Sequence, residues 1–504
     1  MKRLGLPRSL GLRLGAILAL ALLPALSGCT GGQSTLGRVL SHLTSEETPL
    51  SEEAQIQFDR FKTVFKAYSA EPENKERLDY FGFAFRRVRT SYVSYISDAT
   101  LIDAAIKGVR DTKAKAGSLP PKELVEKALD SMMQSLDPHS VYLNGEEFHE
   151  TFVKTRGEFG GLGIEITMEE GLVKVIAPIE GTPADRGGLK AGDLISHVDG
   201  EPIQGKTIQE AVRLMRGRPG SQLTLMIKRK ENPDFLVTLI RAVIKIKAVR
   251  WHLEDDIAYV RVSRFTEKVE PGIYKAFADI DKKLGARLAG IVLDLRNNGG
   301  GLLDQSLVLA DSFMDKGEIV SIRGRNPDRN RSQRARPGDL GHGAPMVVLI
   351  NSGSASASEI VASALQYHKR AVMMGTRSFG KGSVQTILPM PVEGGLKLTT
   401  ALYYSPSGQT IQARGVEPDI VLTPPAKDKD TKYKREKDLP GSLPAVAPKK
   451  GDKSVNAGVH PEVPEEACPE IGEKKDRQLG CALTYLQAGS TKNFLAMMQS
   501  RPRS

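Results

Sequence analysis

Four serines fall within seven positions of the stretch Asn-Ser-Gly-Ser-Ala-Ser-Ala-Ser-Glu-Ile, residues 351–360. The stretch follows the apolar run MVVLI and precedes a helical pattern that begins near Ser356. Backbone N–H groups at a helix start can stabilise an oxyanion, although a serine there is more often only an N-cap. The G-x-S-x-G pattern of α/β-hydrolases is absent, because Ser354 and Ser358 occupy its glycine positions. One of these hydroxyls is a candidate nucleophile if a base lies within reach.

The histidines offer no good base for such a nucleophile. His368 follows Ser356 on the same predicted helix at roughly 18 Å by helical rise, and His342 lies in a glycine-rich loop. Lysine is the alternative, as in Ser-Lys variants of the serine-protease mechanism, and Lys381 in RSFGKGSVQ is the candidate. Its pKa must fall from ~10.4 to about 7 or 8, and burial has this effect.

Two other motifs overlap Lys381. Residues 375–382 nearly match a phosphate-binding P-loop, but Gly382 stands where Mg²⁺ binding requires Ser or Thr, and a strand-like pattern follows. Ser378-x-x-Lys381 matches a motif of penicillin-binding enzymes, but the Ser-Asp-Asn and Lys-Thr-Gly motifs that accompany it there are missing. Nucleotide binding is therefore disfavoured, and Ser378 is the runner-up nucleophile.

The patterns around these residues predict a multidomain α+β protein. Residues 51–156 form a helical N-terminal region, whose aromatic stripe from Phe58 to Tyr68 is a core face or a dimer seam. Residues 157–240 show short strands with glycine turns. Residues 241–423 alternate buried strands with helices, which indicates an α/β layer.

The amino terminus predicts secretion. Residues 1–28 have the basic, apolar and small-residue order of a signal peptide, and the apolar part of thirteen residues is shorter than the ~20 of a spanning helix. Leu26-Ser27-Gly28-Cys29 resembles a bacterial lipobox, which implies cleavage before Cys29 and lipidation of that cysteine. Residues 29–50 are then a tether to a membrane.

The carboxy-terminal part is predicted to be less compact. Residues 424–465 are rich in Lys, Asp and Pro, which indicates a disordered linker, and residues 466–504 form a tail with a helical stretch. Cys468 and Cys481 are expected to pair in an oxidising periplasm, with two unpaired thiols as the alternative.

The net charge of +11 does not indicate a nucleic-acid partner. Much of the excess lies in the arginine-rich loop 323–336 and the mixed segment 427–453, and neither has the interleaved aromatic residues that stack on bases. Solvated loops or contacts with anionic envelope material are the better interpretation.

Taken together, the motifs resemble those of the carboxy-terminal-processing (tail-specific) serine peptidases. The matching stretches are LDPHSVYL, DLRNNGGG, NSGSASASEI, FGKGSVQ and YYSPSGQTIQARGVEPDI, in order over about 55–423.

The strand-rich module at residues 157–240 resembles a PDZ domain through GLGI and AGDLI-x-x-VDG. Such a domain presents backbone N–H groups to a peptide's carboxylate, here from Gly161, Leu162, Gly163 and Ile164. A glycine-rich turn without a ligand is the alternative.

The resemblance also implies the roles of individual residues. Ser356 is the nucleophile, Lys381 the general base and Gln385 the side chain that orients the lysine. The N–H groups of Gly301 and Ala357 form an oxyanion hole. The chain departs from the family in having Gly299 in place of a proline and Tyr367 in place of a common aspartate.

The implied protein is a periplasmic, membrane-anchored lipoprotein of a bacterium, with a crotonase-like α/β core. It is expected to be an endopeptidase that acts on unfolded or carboxy-terminally exposed polypeptides and needs no cofactor or metal. A homodimer through the N-terminal helices and an adaptor protein are further partner hypotheses. The alternative function is a catalytically inactive, PDZ-bearing envelope scaffold.

Overall fold

A computed structural model describes residues 49–230, 232–245, 247–424, 434–446, 460–473 and 475–500 of the chain. The predicted signal peptide, the tether up to residue 48 and Cys29 lie outside the described residues. Within the described part, no helix combines the length and apolar character that crossing a bilayer requires.

The N-terminal region is helical, as its apolar periodicity predicts. Its elements are α1 (Glu52–Tyr68), α2 (Lys75–Ser91), α3 (Asp98–Asp111), α4 (Pro121–Gln134), the short strand β1 (Val141–Leu143) and α5 (Gly145–Arg156). Ser51 caps α1 by accepting a hydrogen bond from the Ala54 N–H. The three phenylalanines of the aromatic stripe of α1 are buried and Tyr68 is partly buried; the ring centroids of Phe61 and Phe81 lie 3.7 Å apart. The stripe therefore forms a core face within the chain.

The second region is a small β-domain in which buried and exposed residues alternate. Its elements are β2 (Glu158–Gly161), β3 (Ile164–Glu169), β4 (Leu172–Pro178), α6 (Pro183–Arg186), β5 (Leu194–Val198), β6 (Glu201–Pro202), α7 (Ile208–Met215), β7 (Gln222–Lys228), β8 (Phe235–Ile240) and β9 (Ala242–Lys245). The main sheet has the order β3-β4-β5-β7-β8, and β2 pairs with β9. Alternate residues of β7, such as Leu223 and Leu225, pack against Val173 of β4 in a separate core.

A seven-stranded sheet lies at the centre of the third region. Its order is β10 (Val249–Glu254), β11 (Ile257–Val262), β12 (Gly290–Asp294), β15 (Met346–Ile350), β16 (Val372–Gly375), β19 (Ile420–Thr423) and β20 (Glu462–Pro464). All pairs from β11 onward are parallel. Every residue of β12 and β15 is buried, which requires cover on both faces of the sheet.

The two faces are covered by different parts of the chain. On one face, Leu293 and Val348 share a core with α8 (Val269–Leu284), α9 (Leu303–Asp311) and α10 (Ala357–Tyr367). On the other face, Val292 and Val347 share a core with the tail helices α11 (Arg477–Ala488) and α12 (Thr491–Ser500). Cys468 and Cys481 are joined by a disulfide, with Cα atoms 5.0 Å apart. The tail is thus a packed layer of the third region.

A second sheet connects the N-terminal region to the third region. Its strands are β1, β13 (Glu318–Gly324), β14 (Arg331–Arg334), β17 (Ser383–Pro389) and β18 (Gly395–Tyr404). The order is β1-β18-β13-β14, and β17 also pairs with β18. The loop that carries Lys381 leads directly into β17, so the N-terminal region lies near this loop.

Parts of the segment 424–465 are ordered, which corrects the prediction of a disordered linker there. Residues 434–446 contain a 3-10 turn at Glu436–Asp438, and β20 extends the central sheet. The composition of this segment is polar, but the side chain of Glu436 is fully buried among polar partners. A low apolar content predicts disorder, but it cannot reveal that a single polar side chain, here Glu436, is buried and hydrogen-bonded.

Candidate active site

Ser356 lies at the turn between β15 and α10, in a backbone conformation that most residues avoid. Its φ is +56° and its ψ is −112°. Its N–H donates to Glu359 Oε2 at 2.7 Å, and its carbonyl accepts from the Glu359 N–H at 2.8 Å. Ser356 and Glu359 thus form a capping box at the start of the helix. Among the described residues, the Ser356 hydroxyl donates no hydrogen bond.

The neighbouring serines have structural contacts instead. Ser354 Oγ donates to the Leu295 carbonyl at 2.8 Å, and Ser358 Oγ donates to the Asn298 carbonyl at 2.7 Å. Both side chains are buried. Of these three serines, Ser356 is the one whose hydroxyl does not donate its proton to a backbone carbonyl.

Glu359, which the sequence analysis missed, joins the serine turn to the lysine loop. Its carboxylate is 0% exposed. Oε1 accepts hydrogen bonds from Ser378 Oγ at 2.6 Å and the Gly380 N–H at 2.7 Å. Oε2 accepts from the N–H groups of Ser356 at 2.7 Å and Lys381 at 2.9 Å. The Ser-x-x-Glu spacing of a capping box was the available sequence signal.

The four partners of Glu359 favour its ionised form. Burial raises the pKa of Glu359 to about 7, and the hydrogen bonds from Ser378 and the three N–H groups oppose this rise. Ser378 Oγ itself accepts a hydrogen bond from the Val416 N–H at 2.6 Å, so its proton points to Glu359. Ser378 is also fully buried, so the structure contradicts its choice as runner-up nucleophile.

Lys381 is partly buried in the loop between β16 and β17. Burial, and after it the positive charge of Lys397, lower the pKa of Lys381 to about 8. The negative charges of Glu436, Asp137 and Glu359 act in the opposite direction. Among the described residues, no hydrogen bond or ion pair holds the Lys381 amine, and none joins it to Ser356 Oγ.

The glycine turn at Gly300 and Gly301 lies against the serine turn. Their φ values are +96° and +146°, and a Cβ placed on Gly300 would lie 2.9 Å from the Ser356 Cβ. The Gly300 N–H donates to Asn298 Oδ1 at 3.0 Å. Within the described chain, the N–H groups of Gly301 and Ala357 have no acceptor. Both predicted oxyanion donors are therefore without an acceptor among the described residues. Ala357 follows Ser356 in the chain, and Gly301 follows Gly300, the residue that lies against Ser356.

The structure does not place Gln385 in contact with Lys381. The Gln385 amide donates to Ser383 Oγ at 2.9 Å and to Thr399 Oγ1 at 3.4 Å. Thr399 Oγ1 in turn donates to Asp137 Oδ1 at 3.1 Å, which connects this network to the LDPHS motif. The role of Gln385 in orienting the lysine stays a prediction.

A buried ion-pair network fixes the segment that carries the glycine turn. Arg296 Nη2 lies 2.8 Å from Asp294 Oδ2 and 2.6 Å from Asp476 Oδ2. Burial opposes ionisation of both aspartates, but Arg296 lowers the pKa of each. Asp476 also caps α11, because its Oδ1 accepts from the Leu479 N–H. The tail thus holds the strand end from which the turn begins.

The loop at 161–164 of the β-domain, which is predicted to bind a peptide carboxylate, is held by backbone hydrogen bonds through its carbonyl groups. Gly163 has a φ of +76°, and its carbonyl accepts from the Ile179 N–H at 2.9 Å. The Leu162 carbonyl accepts from the Ala184 N–H at 2.9 Å. The N–H groups of Leu162 and Gly163 have no acceptor among the described residues. Ile164 begins β3, which is the strand next to the loop.

Comparisons with known proteins identify two domain families in this chain. The model of peptidase family S41 matches residues 256–422, and a PDZ domain model matches residues 174–229. A carboxy-terminal-processing protease of Bartonella bacilliformis is 47% identical over 365 residues, which are 72% of this chain and 79% of that protein. The carboxy-terminal processing protease CtpA of Bacillus subtilis is 28% identical over 79% of this chain and 77% of that protein.

Among solved structures, a photosystem II D1 C-terminal processing protease aligns with a TM-score of 0.45 and 30% identity, covering 69% of this chain and 93% of that one. The predicted fold class, with its helical N-terminal region and PDZ domain, is confirmed. The predicted enzyme class is confirmed as well. The chain therefore belongs to peptidase family S41, as a PDZ-containing serine peptidase of the carboxy-terminal-processing group.

Proposed function

We propose that this protein is a periplasmic endopeptidase that processes the carboxy-terminal part of polypeptides with a Ser356–Lys381 dyad. The observation that carries the proposal is the shared carboxylate of Glu359. One oxygen of this buried group accepts hydrogen bonds from the N–H groups of both Ser356 and Lys381, at 2.7 and 2.9 Å. The nucleophile and the base are thereby tied to the same atom.

The first chemical step is the attack of Ser356 Oγ on the peptide carbonyl carbon. The neutral amine of Lys381 accepts the hydroxyl proton, and a pKa of about 8 suits a base that acts near neutral pH. The carbonyl oxygen becomes an oxyanion, which the N–H groups of Gly301 and Ala357 stabilise. Catalytic hydrogen bonds often tighten only when substrate binds, so the unpaired Lys381 amine is compatible with this role.

The second step releases the carboxy-terminal fragment. The Lys381 ammonium donates its proton to the leaving nitrogen, the C–N bond breaks, and an ester remains on Ser356. Lys381 then accepts a proton from water, whose oxygen attacks the ester carbon. The C–O bond to Ser356 breaks, the Lys381 ammonium returns its proton to Ser356 Oγ, and the amino-terminal fragment leaves with a free carboxyl group. We assign Gln385 to orienting Lys381, through an amide that now rests on Ser383 and Thr399.

Substrate recognition is assigned to the PDZ domain. The N–H groups of the loop at Gly161, Leu162, Gly163 and Ile164 would receive the free carboxylate of an unfolded or carboxy-terminally exposed polypeptide. The edge of the neighbouring strand would hold the extended chain. A substrate with an amidated carboxy terminus should then show a higher KM with little change in kcat.

Turnover of an unstructured protein tests the dyad. Ser356→Ala and Lys381→Ala should each lower kcat by at least about a thousandfold, because each removes a group that acts only in the transition state. Ser352→Ala, in the same serine-rich stretch, is the matched control and should remain active. Equal cleavage by the wild type and both dyad variants would refute the dyad. Absence of cleavage by all of them would favour an inactive PDZ-bearing scaffold.

The membrane anchor is a separate part of the proposal. It is supported by the lipobox-like Leu26-Ser27-Gly28-Cys29, with Cys29 as the lipidated residue. Cys29→Ser should release the protein from the membrane fraction into the periplasmic extract. Unchanged membrane association of this variant would contradict lipidation at Cys29.

A further inference from the structure

A polar segment after the family match contacts the lysine loop. Residues 434–446, here called the strap, follow the region 256–422 that matches peptidase family S41. The strap anchors itself through Glu436, whose side chain is 0% exposed. A buried carboxylate is costly unless it is paired and hydrogen-bonded. The position of Glu436 is therefore closely determined by its partners.

Glu436 is held by three side chains from different parts of the chain. Its Oε2 lies 2.8 Å from His139 Nε2, in the motif between α4 and β1. Its Oε1 accepts hydrogen bonds from Gln412 Nε2 at 2.8 Å and Ser442 Oγ at 3.3 Å. The carboxylate thus connects the N-terminal region, the turn at Gln412 and the strap itself.

The same residue supports both sides of Lys381. The Glu436 N–H donates to the Phe379 carbonyl at 3.1 Å, two positions before the lysine. Gln412, which binds the Glu436 carboxylate through Nε2, uses its Oε1 to accept from the Gly382 N–H at 2.9 Å. Gly382 is closely packed here, since an added Cβ would lie 2.7 Å from the Gln412 Cα. The lysine loop therefore cannot shift without breaking contacts to Glu436 or Gln412.

We propose that Glu436 is a positioning residue for the general base, and that the strap completes the active site by fixing the loop that carries Lys381. This inference rests on the proposed dyad. It assigns a catalytic purpose to a segment outside the S41 match, whereas Glu359 ties the loop to the serine turn from within that match.

The charge of Glu436 gives the proposal a measurable consequence. The groups whose charges act on Lys381 are Lys397, which disfavours the ammonium form, and Glu436, Asp137 and Glu359, which favour it. His139 contacts the Glu436 carboxylate directly, with Nε2 2.8 Å from Oε2. Removing the negative charge of Glu436 should therefore make Lys381 lose its proton at lower pH.

The first experiment measures the protonation of Lys381 directly in the full-length protein. Competitive labelling with an amine-acylating reagent, read by mass spectrometry over a pH series, reports the pKa of the Lys381 amine without requiring catalysis. Glu436→Gln should lower this pKa by about 0.5 to 1 pH unit, as expected for the loss of a nearby opposite charge. Asp438→Asn removes the same charge from an exposed side chain in the same turn and should leave the pKa unchanged.

The second experiment separates positioning from folding. Glu436→Ala should lower kcat by roughly 10- to 100-fold with KM within about twofold, because a small displacement of a catalytic group is costly while substrate binding is not altered. Thermal unfolding of each variant identifies the folded fraction, to which kcat is normalised. An unchanged Lys381 pKa in Glu436→Gln, or an unchanged normalised kcat in Glu436→Ala, would overturn the proposal. Full activity of Lys381→Ala would instead show that the proposed dyad is wrong. The labelling experiment is independent of that outcome, because it measures the pKa of Lys381 without catalysis.

Discussion

Replacing Glu359 with glutamine is the most informative single perturbation of this site. The amide keeps one acceptor oxygen and places an NH₂ group where the second oxygen was. The carboxylate oxygens each accept two hydrogen bonds, from Ser378 and Gly380 on one side and from Ser356 and Lys381 on the other. With the NH₂ group towards Ser356 and Lys381, two backbone N–H groups would face a donor. With the NH₂ group on the other side, the Gly380 N–H would face a donor, whereas the Ser378 hydroxyl can rotate to accept.

The structure sets the size of the expected effect. A buried donor left without an acceptor costs about 1–3 kcal/mol, so the one or two left here cost about 1–6 kcal/mol. Because the side chain of Glu359 is 0% exposed, water cannot easily replace the lost contacts. We expect this cost either as a lower free energy of unfolding or as a detached Lys381 loop with a reduced kcat.

Urea unfolding followed by circular dichroism, together with kcat and KM on an unstructured protein, measures both forms of the effect. Glu462→Gln, at an exposed position of β20, is the matched control and should change the free energy of unfolding by less than about 0.5 kcal/mol. If Glu359→Gln equals this control in both stability and kcat, the carboxylate does not connect Ser356 to Lys381 and the reasoning is wrong.

Three further predictions follow from the same structure. The value of kcat/KM should fall about tenfold per pH unit below a pKa of about 8 and be level above it, because only neutral Lys381 accepts a proton; a flat profile would contradict this. Asp476→Asn should lower the free energy of unfolding by about 1.5–3 kcal/mol, because Arg296 loses a charged partner; an unchanged urea midpoint would argue against the tail network. Replacing both Cys468 and Cys481 by alanine should cost about 3 kcal/mol for this loop of 13-residue separation, and equal stability of oxidised wild type and variant would exclude a stabilising disulfide.

The architecture could be predicted because its signals are local. The 3.6-residue period of α1 and the alternation along β7 identify a helix and a half-buried strand without any distant contact. The apolar runs of β12 and β15 likewise indicate a sheet buried on both faces. What covers the second face could not be predicted, since α11 and α12 come from a tail that is separated from the core by a polar segment.

The candidate site was only partly predictable for the same reason. The motif around Ser356 and the glycine loop around Lys381 are recognisable as short stretches. Glu359 carried a weak signal as the fourth residue of a capping box, but its contacts to the lysine loop lie 21 and 22 positions away. Nothing in the sequence indicated that Glu436 is buried near the lysine loop. Its partner His139 is 297 positions away, and the residues adjacent to Glu436 in sequence have the composition of a linker.

The order of amino acids is enough to identify the residue types that can do chemistry, the periods that form helices and strands, and the glycines that permit a turn beside Ser356. Long-range packing selects the buried carboxylates that hold the serine and lysine loops, and it brings the tail onto the central sheet. The physical reason is that periodicity and turn preference act over a few residues, whereas a buried charge is stabilised by donors that packing brings together from distant parts of the chain.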